Sequence, residues 1–324
     1  MKKSIPFIIA VFLPLTLCAV LLGLALGSAD IFELMKTDAA TASVILQNLR
    51  LPRVFAALLA GVGLSVSGVL LQSVTGNPLA APNIIGVNSG AGFCCIVMLT
   101  FFPRATSLLP FGAFVGAFIT TLFIVAVANK INAFRGTVIL AGIAVTAVLN
   151  AGISLLSLLD ADVLSAYNAF SVGGVSGVRM NQLYVPAAIV AVCLAISLLF
   201  SRRIHTLCLG DSLASSLGVR VKSLRVVCLI CASASAAAVV SFAGLLGFVG
   251  LIVPHIARKL VGERTSLLLV TSSFIGAVLV TVADLFGRVL FAPTEIPVGI
   301  IMSLIGAPFF FALLLKRRGD HAEM

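Results

Sequence analysis

Leu71-Gln-Ser-Val-Thr-Gly-Asn-Pro-Leu-Ala-Ala-Pro-Asn-Ile-Ile-Gly86 stops an apolar helix, and a second apolar stretch starts directly after it. Far downstream, Gly247-Phe-Val-Gly-Leu-Ile-Val-Pro-His-Ile-Ala-Arg258 is a second interruption of the same kind. Lipid offers no partner for an unpaired amide. Irregular backbone at membrane depth survives only where protein or a water-filled cavity covers it. The two breaks therefore predict a path through a membrane rather than a passive anchor.

Composition makes the membrane the solvent. Hydrophobic residues make up 60% of the 324 and charged residues only 10%, against about 25% charged in soluble domains. At ~20 apolar residues per crossing, helical spans are predicted at 5–28, 54–73, 83–102, 108–128, 137–159, 184–200, 222–241, 246–261, 266–290 and 297–315. The eighth merges with the seventh by hydropathy alone. The first follows Lys2 and Lys3 but exceeds the ~7–15 residues of a secretory signal's apolar region and has no clear cleavage site. It reads as a retained helix.

The net charge of +10 suggests nucleic acid at first sight, but topology explains it better. With both termini cytoplasmic, only Lys36, Arg50, Arg53, Arg104, Arg179 and Arg288 of the 21 basic residues fall outside, and 15 fall inside. That asymmetry follows the positive-inside rule and excludes a nucleic-acid role. Six of the seven cysteines lie in predicted spans. Cys228 and Cys231 form C-x-x-C on an apolar helix and read as small packing residues.

Several polar residues stand out. Arg50 and Arg53 flank Pro52 before the second span, on the side where the positive-inside rule disfavours them. They can recognise carboxylates or snorkel to the interface. Asp284 and Arg288, spaced i, i+4 in the favourable orientation, form a local ion pair or aim Arg288 at an outside partner. Between the sixth and seventh spans, the loop at about 203–221 predicts a short helix. Asp211 is its N-cap, Leu213 and Leu217 share one face, and Gly218 is its stop. This helix lies on lipid or in a groove of a soluble protein. Gly174-Val-Ser-Gly177 matches a G-x-S-G pattern, with Ser176 as nucleophile and His255 as base of an intramembrane serine protease, but such patterns arise easily in this composition. The chain carries no G-x-x-x-x-G-K-[ST] for ATP, and Asp284 is nearly its only acid inside a span. Energy for any uphill transport is expected to come from elsewhere.

Eight motifs then occur in one order: Leu49-Arg-Leu-Pro-Arg53, Ser67-Gly-x-x-x-Gln72, Asn77-Pro-Leu-Ala-x-Pro-x-x-x-Gly86, Leu217-Gly-Val-Arg-Val221, Gly247 to Arg258, Ala283-Asp-x-x-x-Arg288, Glu295-Ile-Pro-Val-Gly299 and Gly306-Ala-Pro-Phe-Phe310. Over about 45–315 the chain resembles FecCD-type permease subunits of bacterial ABC importers for iron–siderophore complexes, haem and cobalamin. The resemblance implies an all-α integral membrane protein of the type II ABC importer permease fold. It implies ten transmembrane helices per subunit and a dimer with an identical copy or close paralogue. The whole of 1–324 is expected to be one polytopic domain in the bacterial plasma membrane. Two cytoplasmic ATPase subunits and an extracytoplasmic substrate-binding protein are the implied partners. The chain itself binds no cofactor and is no enzyme; ATP-Mg sits on the ATPases.

By the same resemblance, Arg50, Arg53 and Arg288 face carboxylates of the binding protein. Asp211, Leu213, Leu217, Gly218, Val219 and Arg220 belong to the coupling segment, and Asn77, Pro78 and Leu79 to a cytoplasmic gate. Asn150, Ser154 and Ser157 of the fifth span, with Met302 and Ser303 of the tenth, line the path. The chain departs from the family pattern at Gly76, at Ser212 and Ser215, and at Glu263-Arg264-Thr265. Iron–siderophore import is the expected function. Haem or cobalamin import by the same machinery, and a stand-alone secondary transporter, are the rival readings.

Overall fold

The computed structural model describes residues 4–27, 31–130, 134–290, 292 and 294–322, with helices and connecting turns and no strand among them. Lys2 and Lys3, counted above as cytoplasmic, lie outside the described residues. In chain order the helices are α1 (Ile5–Ala25), α2 (Ile31–Thr37), α3 (Ala39–Ile45), α4 (Leu51–Thr75), α5 (Val87–Phe101), α6 (Leu109–Lys130), α7 (Phe134–Ser157) and α8 (Ala161–Val172). Then follow α9 (Met180–Leu199), α10 (Ser201–Cys208), α11 (Asp211–Ser216), α12 (Val221–Ala243), α13 (Val249–Val261), α14 (Thr265–Val289) and α15 (Val298–Ala322).

A helix that is apolar on every side has to be buried, and α4 is the buried centre. All its residues except Leu51, Phe55, Leu58 and Val62 are out of contact with the surroundings. In lipid the helices gain little from apolar burial alone, so close backbone approach through small residues holds them. Gly61 of α4 meets Gly276 of α14, and an added Cβ on either would fall on the other's carbonyl. Gly90 of α5 meets Gly116 of α6 the same way, and a Cβ on Gly68 would fall on the Gly250 carbonyl of α13. Hydroxyls inside the bundle are mostly satisfied within their own helices: Ser65, Ser73, Thr121, Ser197, Ser233 and Ser273 each donate to the carbonyl four residues back. Across the seam between α4 and α14, the side-chain hydrogen bonds among the described residues are those of Arg53 to Asp284.

Both sequence breaks are present. The first runs from Gly76 (φ 62°) through a 3-10 turn, Pro82–Ile85, to Gly86 (φ 75°). The second spans 244–248, with left-handed backbone at Gly244 (φ 66°) and at Phe248 (φ 65°). Protein covers its amides: Leu245 N–H donates to Phe170 O and Gly174 N–H to Ala243 O, while Gly299 N–H donates to Gly173 O. Three chain segments are thereby tied by backbone alone, as membrane depth demands.

Among the described residues, seven helical segments are long and apolar enough to cross a membrane: α1, Ala39–Thr75, Thr106–Val127, Leu140–Ser157, α9, α12 and α14. The apolar stretches Val87–Phe101 and Val298–Leu313 are shorter. The 13 residues of α13 rise only about 20 Å, short of the ~30 Å hydrocarbon thickness. The turns at 82–85 and 244–248 consume residues that a hydropathy window assigns to spans. The protein is a multi-pass membrane protein.

Candidate functional site

The seam partner of α4 fixes where its N-terminal charges go. A π-type turn (Leu46–Arg50) leads into α4, an irregularity that often marks functional sites. It turns Arg50 back on α1, where Nη1 donates to the carbonyls of Leu24 and Ala25 at 2.7 Å each. A cation there satisfies orphan carbonyls at a helix C-terminus and complements its dipole. One turn on, Arg53 reaches α14. Its Nε lies 3.1 and 3.0 Å from the two Asp284 carboxylate oxygens, and its Nη2 lies 2.9 Å from Oδ1. Arg288 Nε stands 3.3 Å from Asp284 Oδ2, and its Nη2 donates to Gly23 O at 3.1 Å. The i, i+4 pair predicted on α14 is present, but Asp284 also serves Arg53.

A second carboxylate completes the group. Arg53 Nη1 donates to Glu295 Oε2 at 2.6 Å, and Ser176 Oγ lies 3.4 Å from the same oxygen. Glu295 stands between α14 and α15, and Ser176 stands in the loop after α8. These side chains, with Gln47, Asn48 and Arg179, line a cavity of about 790 Å³ at the Arg50 end of the bundle. Among the described residues, Arg50, Arg53, Arg179 and Arg288 line this cavity with Glu295, and Asp284 lies behind Arg53, so these side chains carry a surplus of positive charge suited to an anionic partner.

The three arginines expected to face the binding protein are buried in this geometry. Arg50, Arg53 and Arg288 are 5%, 9% and 3% exposed, and Asp284 is 2% exposed. Unpaired charge is costly to bury, so each guanidinium is drawn inward to a carboxylate or to carbonyls. They form the floor of the cavity. Arg179, exposed in its wall, and Glu295 are members that the sequence reading overlooked. Ser176 belongs to this cavity, whereas the His255 ring on α13 packs edge-on against Phe309 at 5.8 Å between ring centres; the structure places the suggested nucleophile and base in different surroundings.

At the opposite end, α10 packs beside the C-terminal turns of α4, and α11 packs on α10 and α12. Asp211 is not the N-cap: Gly210 (φ 115°) takes that position, and the Asp211 carboxylate instead receives Arg225 Nη2 at 2.5 Å. A cation from α12 competes successfully with local amides for the same oxygens. Leu213 and Leu217 are 55% and 66% exposed, and Gly218 (φ 79°) ends the turn as predicted. Val219 N–H returns to Ala214 O, and Arg220 is exposed. The result is a six-residue helix, pinned to α12 by one ion pair and showing two leucines to its surroundings.

Next to it, the turn at Asn77, Pro78 and Leu79 is half-buried. Asn77 Oδ1 accepts from Leu79 N–H at 3.0 Å, a self-contained Asx turn. A polar cluster unforeseen in the sequence lies close by: Arg258 donates to Gln72 Oε1 at 3.1 Å and to Glu263 at 3.0 Å, and Gln72 Nε2 donates to Gly250 O. Of the residues expected to line a path, Asn150, Ser154 and Ser303 are exposed and Ser157 is half-buried. Met302 is fully buried in the core. One residue turns a helix by about 100°, enough to send Met302 inward while Ser303 faces out.

A family model described as the FecCD transport family matches residues 7–316. The Fe(3+)-citrate import system permease protein YfmE of Bacillus subtilis is 36% identical, over 83% of this chain and 81% of its own. The iron(3+)-hydroxamate import system permease protein FhuG of the same organism is 36% identical over 84% of both chains. The hemin transport system permease protein HmuU of Yersinia pestis is 34% identical over 84% of this chain and 83% of its own. A solved structure described as an inward-facing conformation of a putative metal-chelate type ABC transporter superposes with a TM-score of 0.84 at 30% identity, covering 97% of this chain and all of that one.

Proposed function

The chain belongs to the FecCD transport family, and from that premise we propose that it is the membrane-spanning permease subunit of a binding-protein-dependent ABC importer for iron–siderophore complexes. The likeness along nearly the whole chain to a metal-chelate type ABC transporter is the observation that carries this reading. In it, two such subunits form the translocation unit with ten crossings each and both termini in the cytoplasm of a bacterium.

The substrate-binding protein docks at the Arg50 end. The surplus positive charge of the cavity floored by Arg50, Arg53 and Arg288 supports that assignment. Two ATPase subunits, which carry ATP-Mg, receive the coupling segment Asp211–Arg220. Exposed Leu213 and Leu217 on a short helix anchored through Asp211–Arg225 support that one. Nucleotide binding moves α11, the ion pair passes the push to α12, and the two subunits rock between outward- and inward-open states. The turn Asn77-Pro78-Leu79 acts as the cytoplasmic gate. Asn150, Ser154, Ser157 and Ser303 give the path an uncharged, weakly binding wall.

Haem is the second reading for the cargo, favoured by the likeness to a hemin permease. A reconstituted vesicle decides between the readings. With binding protein and ATPase present, radioiron–siderophore uptake is expected to require ATP, and haem is expected to be poorly carried. Uptake driven by an ion gradient in vesicles holding this subunit alone overturns the proposal.

A further inference from the structure

Arg53 touches two carboxylates of unlike standing. Asp284 takes Nε and Nη2 and is a buried fixture of α14. Glu295 takes Nη1 at 2.6 Å, keeps 34% of its side chain open, and belongs to the non-helical strap before α15. The remaining support of Glu295 in the cavity is Ser176 Oγ at 3.4 Å. Arg50 and Arg288 donate to backbone carbonyls of α1, those of Leu24, Ala25 and Gly23, which are fixed parts of the bundle. Among the described residues, the Nη1 edge of Arg53 is a place on the cavity floor where a cation's partner is a side-chain carboxylate reachable from outside. A guanidinium edge that is satisfied by one carboxylate oxygen cannot accept a second carboxylate in the same geometry without losing the first.

We propose that Glu295 is an internal stand-in for the docking protein's carboxylate. It occupies Arg53 Nη1 while the chain is undocked and yields it when an acidic partner enters the cavity. The inference rests on the docking reading above and adds a residue that sets its strength. Glu295 spares the undocked chain an unpaired arginine, and it lowers affinity for the partner, because each docking event first has to break the Glu295 contact. Weak docking of this kind suits a partner that has to leave after each delivery.

The test is Glu295→Gln in the full transporter held in lipid nanodiscs, with its own substrate-binding protein fluorescently labelled as probe. Expected is a gain in affinity of about 3- to 10-fold over wild type. Asp162→Asn, which removes an equally exposed acid from α8, is expected to leave affinity unchanged. Without the binding protein, phenylglyoxal labelling of Arg53, read by peptide mass mapping, is expected to rise in Glu295→Gln. Ser176→Ala, a milder change, is expected to shift both readouts in the same direction. Equal affinity in Glu295→Gln and wild type overturns the inference, as does an equal gain from Asp162→Asn, which would mean that net charge alone acts. Absence of any binding by wild type overturns the docking reading and takes the inference with it.

Discussion

Asp284→Asn isolates the term on which the Arg50 end depends. The carboxylate is 2% exposed and holds two guanidiniums, with oxygen–nitrogen distances of 2.9 to 3.1 Å to Arg53 and 3.3 Å to Arg288. Removing its charge leaves Arg288 facing the Gly23 carbonyl and Arg53 facing Glu295 as their remaining partners among those contacts. Two unit charges about 4 Å apart at an effective dielectric of 20 attract by about 4 kcal/mol, and breaking one partner out of a buried pair costs about 3–5 kcal/mol. At ~2 °C per kcal/mol for a chain of this size, thermal unfolding in detergent is expected to fall by about 6–10 °C. Adding Arg288→Met to Asp284→Asn removes the stranded cation as well. The double variant is expected to recover part of the loss, so that the two changes are not additive. A melting point within 1 °C of wild type for Asp284→Asn would refute the claim that this carboxylate fastens the arginines.

Gly61→Val places side-chain carbon on the Gly276 carbonyl; it is expected to destabilise by at least about 1–3 kcal/mol, read as lost yield or a lower melting point. Arg225 is buried while its partner Asp211 is 49% open. Arg225→Ala is expected to cost about 1–3 kcal/mol of stability while ATP hydrolysis in the reconstituted transporter runs without uptake. Leu217→Asp is expected to uncouple in the same way by breaking apolar contact with the ATPase groove, and normal uptake per ATP in that variant would refute the coupling role of α11. Docking of the binding protein is expected to weaken as salt rises from 50 to 500 mM, since a Debye length near 10 Å at 0.1 M shortens further. Salt is a cleaner probe here than reversing Arg53, which would leave a third acid beside Asp284 and Glu295.

How much was legible depended on sequence separation. The breaks at 76–86 and 244–248 were readable because Gly, Pro and Asn mark them locally, as was the stop at Gly218. The Asp284–Arg288 pair was readable from its spacing of four. Helix bounds were not: a hydropathy window sums apolar residues whether or not they are helical, so it stretched α5 over the Pro82–Ile85 turn and began the eighth span inside the turn at 244–248. Asp211 was misplaced because a capping amide is a sequence neighbour, whereas Arg225 is fourteen residues away. The Arg53–Glu295 contact joins positions 242 apart, and nothing local announces it. Met302 and Ser303 differ by a single step of helix rotation, finer than the resolution of any hydropathy pattern.

The seam between α4 and α14 behaves like a door. Arg53 and Asp284 are its hinge pin, set at one edge, and beyond them glycine backbones meet in bare van der Waals contact, with the hydroxyls of Ser65, Ser73 and Ser273 turned to their own helices. Among the described residues, no further side-chain hydrogen bond crosses the seam, so resistance to a swivel about that pin comes mainly from dispersion. The seam is fastened by charge at the Arg50 edge and held by close packing toward the Asn77 edge.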